Sequence, residues 1–228
     1  MVLSPYRKWL MSIACTVAAF VTAAPASASS AATPSTIAPL QAEVRSPGSP
    51  HLAGDVDAVA RWLLQKGGNE NRPFLIADKR GGFLYVFQPD GRLIVKAKAL
   101  YGAARSDFIT TEQANKAIKE LSITDMITPA GLFKINPYNS PAYGPALRFA
   151  MYARTNLLIH RAPIQWRRNY LASAAINRSW VTYGCINVLP GLLDDVILPT
   201  LKQGGVLVVL PETMQAGQFF GIEDSVAS

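Results

Sequence analysis

Two residues in this chain could together carry nucleophilic chemistry. Cys185 lies in the stretch Thr182-Tyr183-Gly184-Cys185-Ile186-Asn187, and His160 lies upstream of it. A thiol attacks as its thiolate, and an imidazole beside it can generate that thiolate at neutral pH. Gly184 permits a tight turn. Such a turn could expose the sulfur and aim backbone N–H groups at a developing oxyanion. The residue types therefore point to a cysteine acyl-transfer site, with Cys185 as nucleophile and His160 as general base and acid. The structural alternatives are an inert buried thiol and a satisfied core histidine.

The remaining cysteine and histidine fall in segments ahead of the folded body. Cys15 lies in the apolar run Trp9 to Thr22, behind Arg7 and Lys8 and ahead of Ala26-Ser27-Ala28. A basic start, a short apolar run and an A-x-A site form a secretory signal, so residues 1–28 are expected to be removed on export to the periplasm or cell envelope. Membrane contact is then limited to the signal peptide during export; the alternatives are an uncleaved N-terminal anchor and a lipid-modified Cys15. Cys185 is left unpaired, either buried or a working thiol. Removing residues 1–28 takes Arg7 and Lys8 and no acid, so the formal charge falls from +7 to +5. That charge suits an anionic envelope or simply aids solubility. Residues 29–54 are rich in Ala, Ser and Pro and read as a disordered linker containing His51.

Residues 55–213 suffice for one domain, followed by an irregular tail at 214–228. Asp55 can cap a helix over 55–68, with Val56, Val59, Ala60, Leu63 and Leu64 on one face. Phe74–Ala77 is a strand, and Phe83–Phe87 and Arg92–Lys96 form a hairpin across Gln88-Pro89-Asp90-Gly91. Thr111 can cap a second helix reaching Leu121. Strands are expected at Leu132–Ile135, Leu147–Tyr152 and Leu157–His160, which places His160 where strand meets loop. From Arg161 to Ser179 the chain reads as a long polar loop. Its Arg167 and Trp166, among other basic and aromatic residues, can grip a carboxylated or sugar-containing ligand. Single-stranded nucleic acid wants the same residue types, but export argues against it. Pro190 can open a helix that Pro199 disturbs, and Val206–Leu210 is a buried closing strand. No zinc-ligand cluster and no phosphate-binding glycine loop can be drawn, so neither metal nor cofactor is expected.

At His160 and Thr182–Asn187 the sequence resembles the L,D-transpeptidase (YkuD-type) catalytic domains of bacterial cell-wall enzymes. Their pattern is a histidine, a loop, then Ser/Thr-His-Gly-Cys-x-Asn/Arg. Leu100-Tyr101-Gly102 and Thr128-Pro129-Ala130-Gly131-Leu132-Phe133 match further family turns, in the family's order, so the resemblance covers about residues 70 to 211. Tyr183 stands where the family has a second histidine, and 21 residues separate His160 from Thr182, more than the family's usual loop.

The resemblance implies a mainly β (α+β), sandwich-like domain with a few peripheral helices. It also implies a reaction on peptidoglycan peptide stems. Cys185 would form a thioester, the Arg161 backbone carbonyl would orient His160, and Gly184 would supply an oxyanion-hole N–H. Tyr183, Thr182, Asn187, Trp166 and Arg167 would meet the substrate or hold the turn. The acyl group would pass to an amine of another stem, or to water in a thiol hydrolase (an L,D-carboxypeptidase or endopeptidase). A peptidoglycan-binding domain without catalysis is the third alternative. Sortases also pair Cys with His, but the arginine their pattern needs after the cysteine is missing.

Overall fold

A computed structural model describes residues 54–152, 156–174 and 181–222. The proposed signal peptide and almost all of the linker lie outside these residues. Among the described residues no helix is long and apolar enough to cross a membrane, and no group of three His, Cys, Asp or Glu could hold a metal ion.

The domain is mainly β. Its strands are β1 (Phe74–Asp78), β2 (Phe83–Phe87), β3 (Leu93–Lys98), β4 (Gly131–Ser140), β5 (Gly144–Met151), β6 (Asn156–Arg161), β7 (Ile186–Val188) and β8 (Gly205–Val209). They form a sheet in the order β3-β2-β1-β8-β4-β5-β6-β7. β4 joins the two halves. Gly131 to Ile135 pair with β8, and Asn136 to Ser140 pair with β5. The halves close on a common core in which Leu75, Leu84 and Leu207 pack with Leu147, Ile159 and Ile186. That is a sandwich-like arrangement built from one bent sheet.

A helix covers the outer face of the first half. α1 (Gly54–Gln65) buries Val56, Val59, Ala60 and Leu63 and packs on the other face of the first half, against Phe74, Ile76, Tyr85 and Phe87. It stops short of residue 68: Gly67 is left-handed at φ +64°, and the Gly68 N–H reaches back to the Leu63 carbonyl at 2.8 Å. The β2–β3 hairpin turns at Gly91, φ +87°.

Four expectations need correction. α2 (Thr111–Asn115) is capped by Thr110 and ends far before Leu121. Glu120 and Asp125 carboxylates accept the Ala117 and Ser122 N–H groups and restart the chain as two separate 3₁₀ turns, with Ile118 exposed. The long polar loop after Arg161 is partly a helix, α3 (Gln165–Ala172). β6 and β7 run parallel, and parallel neighbours need a crossover of a dozen or more residues, commonly helical. The helix opened at Pro190 is a π-turn over Leu192–Ile197 that runs on into α4 (Leu198–Thr200), so the helical run carries Pro199 within it rather than ending there. Finally, the described part of the tail is not irregular but carries α5 (Ala216–Phe220), whose Phe220 ring lies 5.4 Å from that of Trp62 on α1.

Candidate active site

The site is assembled on β6, β7 and the turn before β7. β7 lies against β6 with Ile159 opposite Ile186 and His160 opposite Asn187. Ile159, Ile186 and Val188 face the core. Alternation along a strand therefore places Leu158, His160 and Asn187, with Cys185 just ahead of β7, on the other face. In this register Asn187 sits directly across from His160. Cys185 is one step along the diagonal, roughly 8 Å away between Cα atoms from strand spacing and rise.

The imidazole is held from both ends. Its Nδ1 lies 2.8 Å from the Arg161 carbonyl, so this nitrogen carries the proton and donates it. Its Nε2 lies 3.0 Å from Asn187 Nδ2 and accepts from that amide. The amide orientation follows from the next link, because Asn187 Oδ1 accepts from Arg167 Nη1 at 2.9 Å and a flipped amide would set N–H against N–H. Arg167, Asn187, His160 and the Arg161 carbonyl thus form one chain of donors and acceptors. The Tyr143 ring stacks on the imidazole at 3.8 Å between centroids. His160 is buried, which pushes its pKa down to about 4, aided by the Arg167 cation and opposed by the hydrogen bond to Arg161.

The thiol faces elsewhere. Cys185 is partly exposed, and its S–H is directed at the Asn156 carbonyl at 3.9 Å. Desolvation in this crowded pocket raises its pKa to about 11, although the Leu158 backbone and Arg167 pull the other way. Burial therefore works against a thiolate–imidazolium pair in this arrangement. Burial favours the neutral form of both groups, and Asn187 occupies the nitrogen that would take the thiol proton.

The turn is built from within. Gly184 has φ +109°, and a Cβ there would stand 2.4 Å from the Ile127 carbonyl oxygen. Its carbonyl accepts from Thr128 Oγ1 at 2.9 Å. Its N–H donates to Thr182 Oγ1 at 3.2 Å, so this donor is occupied rather than open to an incoming oxygen. Thr182 also donates to the Cys185 carbonyl at 2.6 Å. Thr182 and Asn187 are both buried, so they hold the turn and the imidazole rather than line a surface for ligand. Tyr183 and Trp166, 51% and 48% exposed, are free to meet one. Arg167 reaches into the site from α3, while the Arg161 side chain turns away to pair with Asp194 at 2.6 Å.

Three contributors were not singled out from sequence. Tyr143 comes from the β4–β5 turn and Asn156 from the start of β6, and neither carries a local signal. Thr128 stood in a recognised turn, but its role depends on Gly184, 56 residues away.

No family model and no curated protein matches the chain. Solved structures do. It is similar to the helical cell shape determining protein Pgp2 from Campylobacter jejuni, at 15% identity over 68% of this chain and 56% of that one, TM-score 0.43. It is similar to an L,D-transpeptidase from Mycobacterium smegmatis, at 19% identity over 60% and 58%, TM-score 0.37. It is also similar to the catalytic domain of an E. faecium L,D-transpeptidase, at 15% identity over 61% and 98%, TM-score 0.36. The chain spans less than two thirds of the length of the first two. Likenesses this distant concern strand arrangement and say nothing of activity.

Proposed function

We propose that this protein is an envelope cysteine acyl-transferase of the L,D-transpeptidase kind, acting on peptidoglycan peptide stems. The observation that carries this reading is the imidazole locked by the Arg161 carbonyl on the same sheet face as an unpaired cysteine at a glycine turn. The substrate class comes from the motif resemblance.

In the proposed reaction the Asn187 amide swings away and Nε2 takes the Cys185 proton as the sulfur bonds to a stem carbonyl carbon. The carbonyl oxygen becomes an oxyanion, met by the Cys185 N–H. Gly184 can help only when Thr182 releases its N–H. The Nδ1 proton stays on the imidazole, donated to the Arg161 carbonyl, which steadies the imidazolium as a carboxylate does in other triads. Collapse breaks the C–N bond to the terminal residue, and the leaving amine takes the proton from Nε2. An amine of another stem, or water, then attacks the thioester, gives a proton to His160 and expels the thiolate, which is reprotonated.

The test is incubation with tetrapeptide muropeptides and mass analysis of the products. Cross-linked dimers mean transfer and tripeptides alone mean hydrolysis. Cys185→Ser should abolish either, by about a thousandfold or more, because a hydroxyl ionises far less readily than a thiol. A folded Cys185→Ser protein with ordinary turnover rules the reading out. The masked Nε2 and the neutral thiol favour one other reading, a peptidoglycan-binding domain that performs no chemistry, and substrate left unchanged would support it.

A further inference from the structure

Among the described residues the site contains a cation with no anion. Arg167 spends Nη1 on Asn187 Oδ1 and Nη2 on the Val181 carbonyl. Its Nε is buried and has no hydrogen-bond partner. Other basic residues show what a partnered side chain looks like in this molecule: Arg161 pairs with Asp194, Lys134 with Glu70 and Arg61 with Asp57. Arg167 pairs with no carboxylate among the described residues. The chain segment that builds most of the site is itself without acid: from Met126 to Leu193 the sequence holds seven Lys or Arg and no Asp or Glu. That stretch contains β4, β5, β6, α3 and the cysteine turn.

A part-buried guanidinium without a counter-charge costs free energy, and a buried donor left unpaired adds to that cost. Burial weakens the hold of Arg167 on its proton, while Tyr143, Tyr183 and Cys185, whose ionised forms would be anionic, act on it in the opposite sense. The cation is therefore within electrostatic reach of the thiol. It is also two hydrogen bonds from the imidazole. The Trp166 ring lies 5.5 Å from its Cζ, within cation–π range. A guanidinium has five N–H groups, two of which are accounted for here, and a carboxylate takes two in parallel.

We propose that Arg167 is the anion receptor of this site and binds a carboxylate of the ligand beside Cys185. The proposal rests on reading Cys185 as the reacting thiol, and it deepens that reading by naming the group the ligand must carry. The neighbouring Arg168 is a different case. It is spent on Gln165 and on the Ala162 and Pro163 carbonyls, away from the turn.

The experiment compares two alkylating reagents of nearly equal size on the full protein at pH 9, iodoacetate and iodoacetamide. The ratio of their rates at Cys185, referred to the same ratio for free cysteine, cancels changes in fold and thiol ionisation and reports the carboxylate alone. The wild type should favour iodoacetate by about tenfold, the lower end of what a hydrogen bond to a charged group contributes. Arg167→Gln should return the ratio to that of free cysteine, and Arg168→Gln should leave it unchanged. A wild-type ratio equal to that of free cysteine, or one that survives Arg167→Gln, overturns the proposal. A tetrapeptide stem is then compared with its C-terminal amide. Arg167→Gln should raise KM for the acid and not for the amide. If neither peptide is turned over, the peptidoglycan reading fails, and the reagent ratio still decides the anion site.

Discussion

His160 and Cys185 are neighbours that do not touch at rest. The imidazole is saturated by Arg161 and Asn187, and the thiol looks to Asn156. With its pKa raised to about 11, the thiol should react slowly with iodoacetamide until the pH exceeds the free-thiol value of about 8.5. His160→Ala should leave that profile nearly unchanged, since no ion pair is lost. Alkylation measured from about pH 6 to 11 checks this. A rise below about pH 8 that disappears in His160→Ala would show that the two groups pair in solution.

The turn that carries the thiol is fixed by backbone geometry, because Gly184 is both left-handed and pressed against the Ile127 carbonyl. Gly184→Ala should cost about 2–4 kcal/mol, combining an unfavourable φ with a clash against backbone that cannot move aside. Gly82 gives the control. It is left-handed at φ +77°, with open space where its Cβ would be, so Gly82→Ala should cost about 1–2 kcal/mol from φ alone. Denaturant unfolding of the two variants measures the difference, and equal losses would show that the contact with Ile127 does not matter. The segment holding Ile127 is anchored in turn. Lys79, buried just past the end of β1, donates to the Thr128 carbonyl and to Asp107, while Thr128 holds Gly184. A buried ion pair remote from the thiol thus positions its turn.

Across the whole molecule, buried titratable groups make the fold acid-sensitive. His160 has a folded pKa of about 4 against 6.5 when unfolded, so between those values the unfolded chain binds more protons. Its contribution is complete above pH 6.5 and is lost as pH falls through 4, about 3 kcal/mol in all. Asp107 acts in the same direction at lower pH. Burial pushes its pKa up, but bonds from Lys79 and Thr213 outweigh this and hold it below the ordinary value. Unfolding free energy measured from about pH 7 to 4 should fall in the wild type and stay flatter in His160→Gln. Parallel slopes would show that His160 is not buried neutral.

The sequence determined what is local. The spacing of Val56, Val59, Ala60 and Leu63 marked the face α1 buries, Pro89-Asp90-Gly91 marked the hairpin, and the apolar run at 206–210 marked a strand buried on both sides. It also determined which residue types could do chemistry, because one cysteine lies beyond residue 28 and one histidine ends a strand. What the tertiary structure decided is how those residues meet. Strand register comes from pairing between distant segments, and no local pattern in β6 or β7 states it. The observed register puts Asn187, rather than Cys185, opposite His160, and the crossover this parallel pair requires turned a polar loop into the helix that delivers Arg167. A slip of two residues would keep every side chain on its face and exchange the amide for the thiol. Tertiary contacts select between them: Ile159 and Ile186 pack in the shared core, Thr128 holds Gly184, and Leu100 bridges to Asn187.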